Sequence, residues 1–244
     1  MKQGSYTVLE NEKLASGVWR MVLAGDTSAI TAPGQFLNLK LAGHFLRRPI
    51  SVSDWDGETV TILYKTLGRG TEEMTRLPAG AELDVLAGLG NGFNVEKSGA
   101  RPLVIGGGVG IPPLYHLTKE LLARGTRPLV ILGFNRKEEM FYEAEFKALG
   151  AEVIVTTADG SSGVRGFVTD AVKALSDYTY FFACGPLAML EALDKAVKTS
   201  GQYSFEERMG CGFGACMGCT CKTKDGAKRI CKDGPVLERE EVIW

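Results

Sequence analysis

One stretch near the end of this chain limits what it can fold into more than any other. It reads Cys211-Gly-Phe-Gly-Ala-Cys216-Met-Gly-Cys219-Thr-Cys221, with Cys231 following shortly after. Five of the six cysteines fall here, and the first three are spaced C-x4-C-x2-C. That spacing wraps a [2Fe–2S] cluster whose fourth thiolate comes from further along the chain. Sulfurs converging on a small inorganic core need a backbone that folds tightly around it. Gly210, Gly212, Gly214 and Gly218 allow this, since a residue without Cβ enters φ > 0 freely and lets the chain pass close. The amides of such a loop are then free to point at the sulfurs.

Cys231 is the expected fourth ligand, because it lies beyond a hairpin expected over Lys222–Arg229 and turning at Asp225-Gly226. Cys221 alternates with Cys219, so a strand there turns it to the opposite face and makes it a bystander. The metal set is therefore Cys211, Cys216, Cys219 and Cys231. A structural zinc site is one alternative, although zinc sites favour two separated C-x2-C pairs. A disulfide knot is the other, and it needs an oxidising compartment.

Composition narrows the classes. The 244 residues are 45% hydrophobic and 23% charged, with a formal net charge of −1, which is ordinary for a globular chain. That charge makes no electrostatic case for nucleic acid or an anionic membrane. Met1-Lys-Gln-Gly-Ser-Tyr6 lacks the apolar core of a signal peptide. The most apolar run, Pro102–Leu117, is cut by four glycines and by Pro112-Pro113, short of the ~20 apolar residues of a span. Reduced thiols and a cluster together suggest a cytoplasmic location. With only His44 and His116 present, histidine-based acid–base chemistry has little material.

Up to residue 98 the chain reads as short strands with turn signals. Ser5–Glu10, Val18–Leu23, Phe36–Leu41, Thr59–Lys65 and Glu82–Leu86 are expected strands, separated by turns such as Ala32-Pro33-Gly34-Gln35. A small antiparallel barrel suits them, though periodicity does not separate a barrel from a sandwich. Arg48, followed by Pro49, Ile50 and Ser51, is a candidate phosphate grip, the serine adding a hydroxyl donor. A surface Arg47-Arg48 pair before an edge-strand proline reads equally well. Leu63, Tyr64 and Lys65 lead to Gly70 and Thr71, where Thr71 is expected to N-cap a short helix reaching Leu77. Its free N–H groups suit an anion, or the segment is simply a capped helix.

From Arg101 strands alternate with helices. Expected are strands Pro102–Ile105, Leu129–Gly133, Glu152–Thr156 and Tyr180–Ala183, with helices Leu114–Ala123, Tyr142–Leu149, Val168–Leu175 and Leu187–Thr199 between and after them. Such alternation builds a parallel sheet. Gly106, Gly107, Gly108 and Gly110 sit between the first strand and helix, where a dinucleotide pyrophosphate binds at a helix N-terminus. Cys184-Gly185-Pro186 falls at the carboxyl edge of a later strand, and Cys184 could as well be core packing.

Arg48-Pro-Ile-Ser51, Gly70-Thr71, the glycine loop, Cys184-Gly-Pro186 and the cysteine loop occur in the order of a known family. The whole chain resembles the ferredoxin–NADP reductase-like flavoproteins with an appended cluster domain. More closely, it is similar to the electron-transfer subunits of type 1B dihydroorotate dehydrogenases. The resemblance implies an FAD-binding barrel over residues 1–98, an NAD-binding α/β domain over 99–202 and a small [2Fe–2S] domain over 203–244. It implies FAD on Arg48, Pro49, Ile50 and Ser51, with Arg48 on the phosphates and Leu63–Lys65, Gly70 and Thr71 completing the site. NAD falls to the loop of Gly107, Gly108 and Gly110, with Cys184 near the nicotinamide. Ile50 stands where related reductases often carry a tyrosine stacked on the flavin. As an oxidoreductase subunit, such a chain lacks a metabolite pocket of its own. Its relatives work with an FMN-containing catalytic partner, as a heterotetramer of two of each. A subunit of an NADPH–ferredoxin oxidoreductase shares the architecture, and Arg136 and Lys137 offer charge for a 2′-phosphate against Glu138 and Glu139. A zinc-stabilised nucleotide-binding interaction module is the non-enzymatic alternative.

Overall fold

A computed structural model describes all residues from Met1 to Trp244. Strands β1 (Lys2–Ala15), β2 (Val18–Ala24), β3 (Phe36–Leu39), β4 (Arg48–Trp55), β5 (Thr59–Lys65) and β6 (Glu82–Leu89) close a barrel, with helix α1 (Arg69–Met74) after β5. The strand order is β1-β2-β5-β4-β3-β6, every neighbour antiparallel. β1 is far longer than Ser5–Glu10 because it serves two partners. Lys2–Thr7 pairs with β6, and Thr7–Ala15 pairs with β2 across a register break near Val8. An irregularity of this kind bends a strand and lets a small sheet close. Alternate residues such as Met21 and Leu23, or Val60 and Ile62, fill the interior.

The second unit runs β7 (Leu103–Gly107), α2 (Pro113–Ala123), β8 (Leu129–Phe134), α3 (Glu143–Ala148), β9 (Glu152–Thr157), β10 (Val164–Arg165), α4 (Val168–Lys173), β11 (Phe181–Cys184) and α5 (Leu187–Asp194). Next come β12 (Gly201–Ser204), the hairpin β13 (Thr220–Thr223) and β14 (Gly226–Arg229), and β15 (Val236–Glu238). The sheet order is β10-β9-β8-β7-β11-β12-β15, parallel except for β15, which returns antiparallel to β12. α2 covers one face through Leu114, Leu117 and Leu121, and α4 and α5 cover the other through Val168, Val172, Leu190 and Leu193. Buried Cys219, Ile230 and Cys231 join that second core, which seats the cysteine segment against the sheet. No helix is long and apolar enough to cross a membrane.

Candidate functional site

The cysteine loop is folded around sulfur. Cys211 Sγ accepts the amides of Ala215 (3.3 Å) and Cys216 (3.4 Å), while Cys216 Sγ accepts those of Cys211 (3.4 Å) and Gly218 (3.5 Å). The Cys231 amide donates to Cys219 Sγ at 3.4 Å. Burial pushes the Cys231 thiol up to about 12, with the neighbouring Cys219 and then Cys211 adding to the rise. Burial also opposes the Cys211 thiolate, yet the amides of Phe213, Cys216 and Ala215 outweigh it and bring that thiol down to about 6. Four thiols fringed by amide donors are a donor set that fits an iron–sulfur core. Gly212 and Gly214 take positive φ as the turn requires; Gly210 and Gly218 do not. At Gly210 a Cβ would stand 3.1 Å from Cys216 Sγ, so close approach to sulfur is what it supplies, whereas at Gly218 the 3.5 Å contact would be an ordinary one. Cys221 lies on β13 opposite Lys228, half-buried against the core beneath, where burial and then Glu207 raise its thiol.

Residues outside the loop hold it in place. Arg229 donates to Gly214 O at 2.9 Å and pairs with Asp233 at 2.9 Å. Buried Asn38, on β3, donates to Cys211 O at 3.1 Å, and in the barrel register it faces Pro49. The cysteine loop is thus tied one strand away from Arg48–Ser51. Asn91 accepts the amide of Val236 (3.0 Å) and donates to Val236 O (2.7 Å), fastening the returning segment to the barrel's exit. Sequence reasoning missed Asn38, Asn91 and Arg229, because each acts on residues brought close only by folding.

On the barrel, the fold brings Arg48 and Gly70 together. A Cβ on Gly70 would overlap the Arg48 guanidinium. Arg48 donates to Leu46 O and lies 2.7 Å from His44 Nδ1, whose Nε2 is 2.6 Å from Glu73 on α1. Thr71 is not the N-cap. Gly68 precedes the helix, and Thr71, in its first turn, accepts the amides of Leu67 (2.9 Å) and Gly68 (3.2 Å). Pro49, Ile50 and Ser51 lie half-buried along β4, with Ile50 against the barrel core. On β5 the alternation separates Tyr64 from its neighbours. Its ring is inside the barrel with the hydroxyl on Asn11 (2.8 Å), and burial raises its pKa. Leu63 packs toward the second unit's core.

Lys65 reaches into a cleft of about 500 Å³ between the two units, lined also by Gly107, Gly108, Gly110, Thr156 and Met189. Gly108 has φ of 52°, and a Cβ on Gly110 would overlap the Cys184 carbonyl. The glycine loop therefore lies directly on the end of β11, with Pro113 opening α2 at its first position. Cys184 is 3% exposed, and burial, then the charge of Glu206, pushes its thiol up to about 12. Arg136 is spent on Glu139 (3.2 Å), a carboxylate at the cleft's edge that also accepts from Asn135 (2.8 Å).

The comparisons with known proteins bear on both halves of this arrangement. Residues 206–243 match the iron-sulfur cluster binding domain of dihydroorotate dehydrogenase B, and residues 104–195 match an oxidoreductase NAD-binding domain. The dihydroorotate dehydrogenase B (NAD(+)) electron transfer subunit of Fusobacterium nucleatum is 44% identical, over 99% of each chain. That of Bacillus mycoides is 42% identical, over 100% of this chain and 99% of its own. The chain belongs to this family of electron transfer subunits. Among solved structures, the electron transfer subunit is similar to an NADH-dependent reduced ferredoxin-NADP oxidoreductase, with TM-score 0.89 and 29% identity over 98% of this chain and 90% of that one. A ferredoxin NADP+ reductase from Neisseria gonorrhoeae with bound FAD and NADP shares the fold at TM-score 0.70 and 17% identity, over 80% of this chain and 92% of that one. The expected architecture of barrel, parallel-sheet domain and C-terminal cluster domain is the architecture found.

Proposed function

We propose that this electron transfer subunit carries electrons from a dihydroorotate-oxidising catalytic partner, which holds FMN, to NAD⁺. In this reading Cys211, Cys216, Cys219 and Cys231 hold the [2Fe–2S] cluster. FAD lies along Arg48–Ser51, with the backbone of Leu63–Lys65 and Gly70-Thr71 beside it, and NAD takes the loop of Gly107, Gly108 and Gly110. NAD exchanges hydride and an iron–sulfur centre exchanges single electrons, while flavin, when bound, does either and belongs between them. One observation carries the reading. Asn38 joins the cysteine loop to the strand beside Arg48–Ser51, while Lys65 from the barrel lines one cleft with the glycine loop. Both contacts support a relay that runs from the cysteine loop through the barrel to the glycine loop. The units at 1–98, 99–202 and 203–244 would each carry one cofactor, in a cytoplasmic heterotetramer of two subunits of each kind.

The isolated chain should oxidise NADH with artificial dyes and fail to turn over dihydroorotate with NAD⁺. Adding an FMN-containing dihydroorotate dehydrogenase subunit should restore that reaction. Turnover by this chain alone would overturn the relay. The full-length likeness to a ferredoxin-NADP oxidoreductase favours, as second reading, a subunit of an NADPH–ferredoxin enzyme. Ferredoxin reduction by NADPH, with no response to the dihydroorotate partner, would select it. Iron with acid-labile sulfide disposes of a zinc module.

A further inference from the structure

The sequence contains two histidines, and the relay uses neither. His116 sits one turn into α2, about 4.5 Å along the axis from Pro113, which opens the helix three residues after Gly110. Across the domain junction it meets the end of β4, the strand that begins with Arg48. His116 Nδ1 is 2.6 Å from Asp54 Oδ1, and its ring stacks on Trp55 with centroids 3.5 Å apart at 18°. Lys119, one turn further on α2, donates to both Asp54 oxygens at 2.8 and 2.9 Å. Glu120 lies 3.5 Å from His116 Nε2. The His116 side chain is 15% exposed and that of Asp54 27%, so this is a largely enclosed pair rather than a surface contact. It stands at the rim of a polar cleft of about 350 Å³ lined by Arg20, Asp54, Tyr115 and Tyr142.

We propose that His116 is a positioning residue, whose ion pair with Asp54 and stack on Trp55 lock α2 against β4 and so set the distance between the nicotinamide and the flavin. The inference rests on the reading that β4 carries FAD and the glycine loop NAD. Reacting atoms for hydride transfer must stand roughly 3–3.5 Å apart, and a misplacement of about 1 Å can cost on the order of 100-fold in rate. The clamp ties the helix that follows the glycine loop to the far end of the strand that begins at Arg48, about 20 Å along β4, and so acts through the rigidity of both elements.

The clamp depends on pH with a definite sign. Burial opposes charging His116, but the bond to Asp54 and then Glu120 outweigh it, and its pKa lies above the ordinary value; Lys119 opposes. Those groups, with Asp54 from β4 and Lys119 and Glu120 from α2, are the charges that face it. A raised histidine pKa means that the charge on His116 is fully present below about 6.5 and is lost as pH rises through the raised value, where the ion pair with Asp54 weakens to a neutral hydrogen bond.

The test uses the full chain loaded with FAD and cluster, following flavin reduction by NADH in rapid mixing from acid to alkaline pH. In the wild type the limiting rate should fall as pH rises through the raised pKa. His116→Gln should keep FAD content and NADH affinity within about twofold, lose roughly tenfold in limiting rate, and show no pH dependence in that window. Asp54→Asn removes the same ion pair from the barrel side and should likewise lower the limiting rate and flatten its pH dependence, which keeps the test decisive if His116→Gln fails to fold. A variant with lowered Tm but the wild-type limiting rate and pH profile would overturn the proposal. So would a pH dependence that persists in His116→Gln. A wild-type chain that binds no FAD would instead overturn the flavin reading beneath it.

Discussion

Cys211 and Cys184 carry the same thiol into opposite chemistry. In the cysteine loop, amides turned toward sulfur bring Cys211 down to about 6, whereas at the end of β11 burial pushes Cys184 up to about 12. Both regions are rich in glycine, but for different reasons. In the loop, glycines give the turns their handedness and bring backbone to sulfur. At the nucleotide cleft, Gly110 lets one backbone lie on another. The lesson is that cysteine reactivity follows from what faces the sulfur, not from the density of cysteine or glycine nearby.

The contrast breaks most visibly at the proposed ligands. Single serine replacements of Cys211, Cys216, Cys219 or Cys231 should each remove most iron and sulfide, while Cys221→Ser should leave both near wild type. Iron and sulfide assays decide it, and an iron-free Cys221→Ser protein would show the fourth ligand to be wrongly chosen. Arg48→Ala comes next. A charge-assisted pair to phosphate is worth about 1.5–3 kcal/mol, so FAD affinity should fall roughly 10–150-fold, read by titrating apoprotein. Unchanged affinity returns Arg48 to its contacts with Leu46 and His44.

The two kinds of glycine sharpen the comparison further. At Gly110 the obstructing atoms are the Cys184 and Gly185 backbone, so Gly110→Ala should cost about 1–3 kcal/mol. Tm should fall by roughly 2–12 °C, at about 2–4 °C per kcal/mol for a chain of this size, with NADH use impaired and iron retained. At Gly212 the obstruction is the Asn38 side chain and the backbone holds a φ of 80°, so Gly212→Ala should strain the loop by about 1 kcal/mol and loosen iron while sparing NADH–dye activity. Equal effects of the two substitutions on iron would erase the distinction. The smallest effect is expected at Cys184. With its thiol pushed up to about 12, iodoacetamide at pH 8 should leave it unmodified in the native protein and label it only after denaturation, as peptide mass mapping would report.

Local pattern was enough for much of this. The β5 boundaries, Thr59–Lys65, are those that alternation predicts, and the four expected strands of the parallel sheet, β7, β8, β9 and β11, fall within a residue or two of their apolar runs. The C-x4-C-x2-C spacing, the glycine loop and the Arg48–Ser51 segment are patterns of neighbours in the chain, so they are legible without the fold. The inward turn of Tyr64 was also within reach, since a strand sends alternate side chains to opposite faces. Other features had no local signal. Gly201–Ser204 is too short and mixed to announce a strand, and it is buried because β11 lies beside it and β15 returns to cover its edge. Closing the barrel required β1 to bend between two partners, a matter of pairing across the whole first unit. The bond from Asn38 to Cys211 spans 173 positions, and the clamp of His116 on Asp54 spans 62. Periodicity and spacing report what each residue contributes to its own element. Which elements meet, and which polar groups must then find one another, is decided by long-range packing that no short window of sequence contains.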